Sequence, residues 1–208
     1  MCDAAPAKKF QFVGRELCLD FCNTVGGKRG VATREYLHSY SDLLSWCAQA
    51  GLVDSFAAAQ LFKMGIRQPI EAAKVCARAL ALREAIFDIF SALMNSKGAP
   101  ANSIRLLNAE LALSLGRLRI SFKTGQDEFS WDWALKDSPL DGPLGPIARS
   151  AADLLVSDKW RGHIRMCQAG DCGWLFLDSS KNHSRRWCDM KDCGNRAKVR
   201  RHRLKSEP

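Results

Sequence analysis

The sequence predicts a fold that is mainly α with a β-hairpin in the N-terminal domain, followed by a small α+β module at the C-terminus. Three observations carry this. Apolar residues recur at steps of three and four through most of residues 41–157, the period of helices with one face in a core. A single stretch near residue 120 alternates in polarity instead, the period of strands. Four of the nine cysteines crowd into the last quarter, in a segment too charged to build a core of its own.

Taken in order, "SYSDLLSWCAQAGLV" offers Ser41 as an N-cap and Gly51 as a stop, with Leu43, Leu44, Trp46 and Cys47 on the apolar side. "DSFAAAQLFKMG" repeats the arrangement with Asp54 as the cap. The longest helix starts after Pro69 and ends before Gly98, with Val75, Ala79, Leu82, Ile86, Ile89 and Leu93 forming its core stripe. "ANSIRLLNAELALSLG" adds a further helix. "RLRISF" and "EFSWDWAL" flank "KTGQD" as a β-hairpin, and "GPLGPIARSAADLLVSD" is a last helix behind Pro and Gly. The boundary to the C-terminal module is expected near Ser157 to Arg161, dividing the chain into 1–158 and 159–208. A body of that size buries roughly 68–70% of its unfolded surface, enough for a core without staples.

Charge divides the chain at the same place. Residues 159–208 hold 13 Lys and Arg against 5 Asp and Glu, whereas residues 1–158 hold 18 against 17. An imbalance confined to one quarter points to an anionic partner for that quarter. No run of eighteen apolar residues is present, so no membrane helix is expected. The opening "MCDAAPAKKFQF" lacks the apolar centre of a secretory signal, so a cytoplasmic location is expected. In that compartment nine cysteines do not form a disulfide framework.

Cys167, Cys172, Cys188 and Cys193 are spaced Cys-x4-Cys, fifteen residues, Cys-x4-Cys. Two loops with two thiolates each supply the four soft corners that zinc takes, and Gly170, Gly173 and Gly194 provide permissive backbone beside them. A closed four-thiolate shell leaves no position for water, so one structural Zn2+ is expected, and the small module needs it to stay folded. Behind it Arg196, Lys198, Arg200, Arg201, Arg203 and Lys205 crowd ten positions. On a helix Arg196, Arg200 and Arg203 share one face and Lys198, Arg201 and Lys205 a neighbouring one. Such like charges repel in water and gain order against phosphates. Arg185 and Arg186, just before the third cysteine, would grip the same backbone. The expected partner is DNA, with RNA as the alternative that stacking on Trp174, Phe176 or Trp187 would favour. A lone finger buries only about 600–1,000 Å², so a homodimer joined through the helical body is expected.

The stretch from Cys167 to His202, with "CGWLFLDSSKNHSRRWC" and then "CGNR", resembles the CGNR zinc finger, named for the letters at Cys193 to Arg196. The body, through "LCLDFCNTV", "LREAI", "RLLNAEL" and "PIARSAADLL", is similar to the ABATE-type domain that precedes this finger in stress-induced transcription regulators. The resemblance implies a zinc-dependent, DNA-binding C-terminus and an N-terminal domain that senses a signal.

Other features are weighed against plainer roles. "VGGKRGV" at 25–31 lacks phosphate-loop spacing and reads as a surface turn. Cys18 and Cys22, flanked by Leu17, Leu19 and Phe21, read as core thiols rather than a second metal site. Asp20, Asn23, Thr24 and Arg149 either line a pocket for a small-molecule effector, or cap the chain and make surface ion pairs. No nucleophile–base arrangement is present, so an enzyme is not expected.

Overall fold

The computed structural model describes residues 9–123, 125, 127–133, 139–157 and 162–206. Cys2 and most of the expected boundary, at 158–161, lie outside the described residues, as does the side chain of Lys205. The body comprises α1 (Leu17–Cys22), the hairpin β1 (Val25–Lys28) and β2 (Ala32–Glu35), α2 (Tyr40–Gln49), α3 (Ser55–Arg67), α4 (Pro69–Met94) and α5 (Ala101–Leu115). The hairpin β3 (Arg119–Lys123) and β4 (Glu128–Asp132) and helix α6 (Leu144–Val156) complete it. The C-terminal module holds the hairpin β5 (Ile164–Met166) and β6 (Leu175–Leu177), then α7 (Asn195–Ser206).

Helix α4 is the spine. Its stripe Val75, Ala79, Leu82, Ile86 and Ile89 is buried as the spacing predicts, and α1, α2, α3, α5 and α6 pack around it. Pro69 is the first residue of α4 rather than the one before it, because proline has no N–H for a first turn to leave unpaired. Asp54 caps α3, accepting from the Ala57 amide at 2.7 Å. The cap of α2 is Ser39 rather than Ser41: Ser39 Oγ accepts from Asp42 N at 3.2 Å, while Asp42 Oδ2 accepts from His38 N at 2.8 Å. Asp42, three residues on from Ser39, makes the exchange reciprocal, which Ser41 has no partner to do.

The expected hairpin is present as β3–β4, with Ser121 opposite Ser130. The body contains a second one where the sequence reads as a surface turn. Val25 to Lys28 pair antiparallel with Ala32 to Glu35. Gly27 sits at φ +82° with the Ala32 carbonyl where a Cβ would project, so only glycine fits.

That hairpin is fastened to α4 by charge. Arg83, 4% exposed, donates Nη1 and Nη2 to the two Glu35 oxygens at 2.8 and 2.7 Å and Nε to Glu84 at 2.8 Å. Arg29 reaches Glu84 at 2.7 Å and lies over the Phe87 ring at 3.7 Å. Burial alone would raise the Glu35 carboxyl, but the bonds from Arg83 and the Leu37 and Tyr36 amides hold it below the usual range.

The C-terminal module is built into the body. Ile164 and Leu175 belong to the main core. Asn23 pairs with Leu175 as a strand would, donating to its carbonyl and accepting from its amide, both at 2.8 Å. Gly173 N donates to Gly27 O at 3.1 Å, Leu177 N to Gly14 O at 2.9 Å, and Trp174 Nε1 to Val25 O at 2.7 Å.

Candidate metal centre and nucleic-acid interface

Four cysteines meet in a second, small core with Ala169 and Phe176, flanked by Val13, Trp174 and Trp187. Cys167 and Cys172 come from the loop joining β5 to β6. The Cys167 amide donates to Trp174 O at 2.8 Å and the Cys172 amide to Ala169 O at 3.2 Å, which folds the loop into a knuckle. Cys188 and Cys193 come from a second knuckle, where Asp189 Oδ1 accepts from Lys191 N at 2.6 Å. Gln168 N donates to Arg186 O at 2.9 Å and joins the two.

All four sulfurs lie within 4.8 Å of one another, with Cys172 to Cys188 at 3.8 Å and Cys188 to Cys193 at 3.6 Å. Zinc–sulfur bonds of about 2.3 Å at tetrahedral corners put sulfurs about 3.8 Å apart. The quartet therefore fits one structural zinc ion, with no corner left for water. The thiols cannot all ionise alone. Hydrogen bonds from Cys172 and Cys188 lower Cys167, and the same contacts raise Cys172 and Cys188. A divalent cation removes that competition and lets four thiolates coexist.

The fourth ligand leads directly into the basic helix. Residues Met190–Gly194 form one wide helical turn that runs into α7 without a break. The direction of α7 is thereby tied to Cys193. The cationic residues along it divide into two sets. Arg196 Nη2 lies 3.1 Å from Cys193 Sγ, and the same guanidinium meets Asp171 at 3.3 Å and Asp192 at 3.4 Å. Arg185 donates Nε to Trp187 O at 2.9 Å and Nη2 to Cys188 O, with its guanidinium over Phe176. Both face the metal centre. Arg186 is exposed and anchored to Gln168 at 2.7 Å. Arg200 lies over Gly170, where a side chain would collide with its Nη1. Lys198, Arg200, Arg201 and Arg203 are all exposed, and among the described residues none has an ion pair. Lys198, Arg200, Arg201 and Arg186 border one groove between α7 and the knuckles, together with Trp187 and Met190. Trp174 and Phe176 do not stack outward: Phe176 is fully buried and Trp174 is turned into the body by its bond to Val25.

Sequence reasoning missed Asp178, 1% exposed, which organises the loop between β6 and the second knuckle. Burial alone would raise it, but bonds from Ser180 Oγ at 2.6 Å, Ser180 N at 3.0 Å and Arg185 N at 2.9 Å hold it below the usual range. Its position directly after an apolar strand, with serines two and one residues before a basic pair, is the signal that was available.

The residues weighed as pocket-lining separate. Asp20, Asn23 and Thr24 border one cavity of about 260 Å³ between the body and the module, with Trp46, Tyr36 and Trp174. Asp20 Oδ1 accepts from Gly14 N at 2.7 Å, and burial pushes its carboxyl up to about 6. Thr24 Oγ1 donates to Phe21 O at 2.7 Å, the turn-capping role also considered for it. Arg149 lies elsewhere, paired with Asp153 at 3.2 Å and placed over the Trp131 ring.

Residues 15–158 match the ABATE family, described as "Putative stress-induced transcription regulator", and residues 163–206 match the CGNR zinc finger. No curated protein matches the chain. No described helix is long and apolar enough to cross a membrane.

Proposed function

The chain belongs to the ABATE family, and on that premise we propose that it regulates transcription by binding duplex DNA through the zinc-anchored helix α7. One observation carries the reading. Four exposed cations, Lys198, Arg200, Arg201 and Arg203, sit on a helix whose start is a metal ligand, so a charged rod is presented in a fixed direction. Repulsion along α7 is relieved when phosphates approach, and arginine forks suit both phosphate and guanine. Arg186 extends the surface from the adjoining knuckle, while Arg185 and Arg196 hold the centre together. Sensing by the body is the regulatory half of this reading; catalysis has no part in it.

One such module is small, so the reading includes a dimer. Its support is an apolar surface on α3 and the start of α4, where Phe62, Ile66 and Ile70 are exposed beside a groove of about 530 Å³.

The test is salt dependence of duplex binding by the full-length, zinc-loaded protein. Four phosphate contacts per protomer predict a slope of log K against log salt of about −3.6 for each α7 engaged. Arg201→Ala should lower the magnitude by about 0.9 per protomer and weaken binding alike on different sequences. Affinity indifferent to salt overturns the reading, and preference for structured RNA in competition replaces DNA with RNA. Light scattering that finds a strict monomer at micromolar concentration removes the dimer.

A further inference from the structure

The cavity between body and zinc module has an unusual lining. Its inner wall is Trp46, fully buried and stacked on Phe21 at 5.0 Å between ring centres. The indole N–H of Trp46 has no hydrogen-bond partner among the described residues. A buried donor left unpaired costs on the order of 1–3 kcal/mol, so its retention beside an open cavity points to a ligand acceptor. Asp20, 8% exposed, borders the same cavity, with one oxygen already bound to Gly14 N. Tyr36 and Trp174 add aromatic walls, and the two cations at the cavity, Lys9 and Arg34, are exposed. Depth therefore runs from a polar, aromatic inner end to a cationic mouth. A volume of about 260 Å³ suits a molecule of roughly ten heavy atoms, just below the usual size of drug-sized ligand sites.

We propose that this junction binds a small phenolic acid, with its hydroxyl between Trp46 and Asp20 and its carboxylate at Arg34 and Lys9. The hydroxyl accepts from Trp46 Nε1 and donates to the Asp20 carboxyl, satisfying both buried groups at once. The ring lies against the aromatic walls, and the carboxylate stays at the wet, cationic end. An ammonium in place of the carboxylate meets like charge there. Trp174 is both a cavity wall and the residue two positions after the ligand Cys172, so occupancy bears directly on the zinc module. The site stands apart from the DNA reading, because no residue of α7 borders it.

The experiment uses full-length, zinc-loaded protein without DNA, titrated with 4-hydroxybenzoate, benzoate and 4-hydroxybenzylamine and followed by the indole N–H resonances. 4-Hydroxybenzoate should bind saturably and move the Trp46 resonance, which is identified by its loss in Trp46→Phe. Benzoate should bind about five-fold more weakly, for want of the inner hydrogen bonds. Arg34→Gln, a surface change that leaves the core intact, should weaken 4-hydroxybenzoate by about five-fold. The proposal is overturned if no probe saturates the Trp46 shift, if the amine binds as tightly as the acid, or if Arg34→Gln changes nothing. Failure here leaves DNA binding by α7 untouched, and loss of DNA binding leaves this titration readable.

Discussion

Two populations of cysteine live in this chain, and they behave in opposite ways. In the body Cys18, Cys22 and Cys47 are fully buried among apolar side chains, and loss of solvent drives their thiols up, Cys18 to about 12. They are small core residues that happen to contain sulfur. In the C-terminal module four cysteines are nearly as well buried, yet each touches another sulfur rather than a leucine. That packing is tolerable only with a cation among them. The body is held by apolar area, the module by coordination.

Removing the metal should break this contrast most sharply. A chelator at neutral pH should unfold the knuckles and release α7, since structural zinc contributes about 10–16 kcal/mol in comparable small modules. Hydrogen exchange should show protection lost through 167–206 while α4 keeps its own. Alkylation after chelation should label Cys167, Cys172, Cys188 and Cys193 and spare Cys18, Cys22 and Cys47. Labelling of both sets together would mean that the body has no core independent of the metal.

A smaller effect tests whether the body also contains a centre held by charge. Arg83 is the one strongly buried cation among the described residues, and Glu35, Glu84 and Thr24 all converge on it. Arg83→Met leaves two carboxylates facing a greasy side chain and should destabilise the protein by about 3–5 kcal/mol. Thermal unfolding would register that as a clear drop in Tm, with zinc content unchanged. Adding Glu35→Gln to Arg83→Met should recover part of the loss, because one stranded charge is gone. A loss no greater than that of an ordinary surface substitution would leave the β1–β2 hairpin held by backbone pairing alone.

How much of this could be read beforehand follows from the range of the interactions. The cysteine quartet, the α4 stripe and the Asp54 cap are written in spacings of a few residues, and the sequence carries them openly. The same holds for β3–β4, whose alternation is local. The β1–β2 hairpin was hidden because "VGGK" has no alternating side chains to reveal a strand, and its glycines serve close backbone approach instead. Asn23 was ambiguous for a different reason: its partner Leu175 lies 152 residues away, and only the fold brings them together. Arg196 and Arg185 show the limit of reading charge alone. By composition they belong with the other cations, but contacts to Cys193 Sγ and Cys188 O turn them toward the metal.

The finest test concerns Asp20, where body and module meet. Burial raises its carboxyl from the usual 3.8 to about 6, against the hydrogen bonds from Gly14 and Val13 that pull it down. The folded state therefore holds a proton between about pH 4 and 6 that the unfolded chain has released. Stability linked to this group is fully present below about pH 4 and declines as pH rises through about 6. Other carboxylates run the opposite way: Glu35 and Glu84 are held low by Arg83 and Arg29 despite burial, and protect the fold only while ionised. Asp20→Asn keeps an oxygen for Gly14 N and removes the charge, so it should stabilise the protein at pH 7 by on the order of 2 kcal/mol and leave stability at pH 4 nearly unchanged. Denaturant unfolding of the two proteins from pH 4 to 7.5 reads the difference directly. A constant gap across that range would mean that Asp20 is ionised throughout, and the junction would then be wetter than its burial indicates.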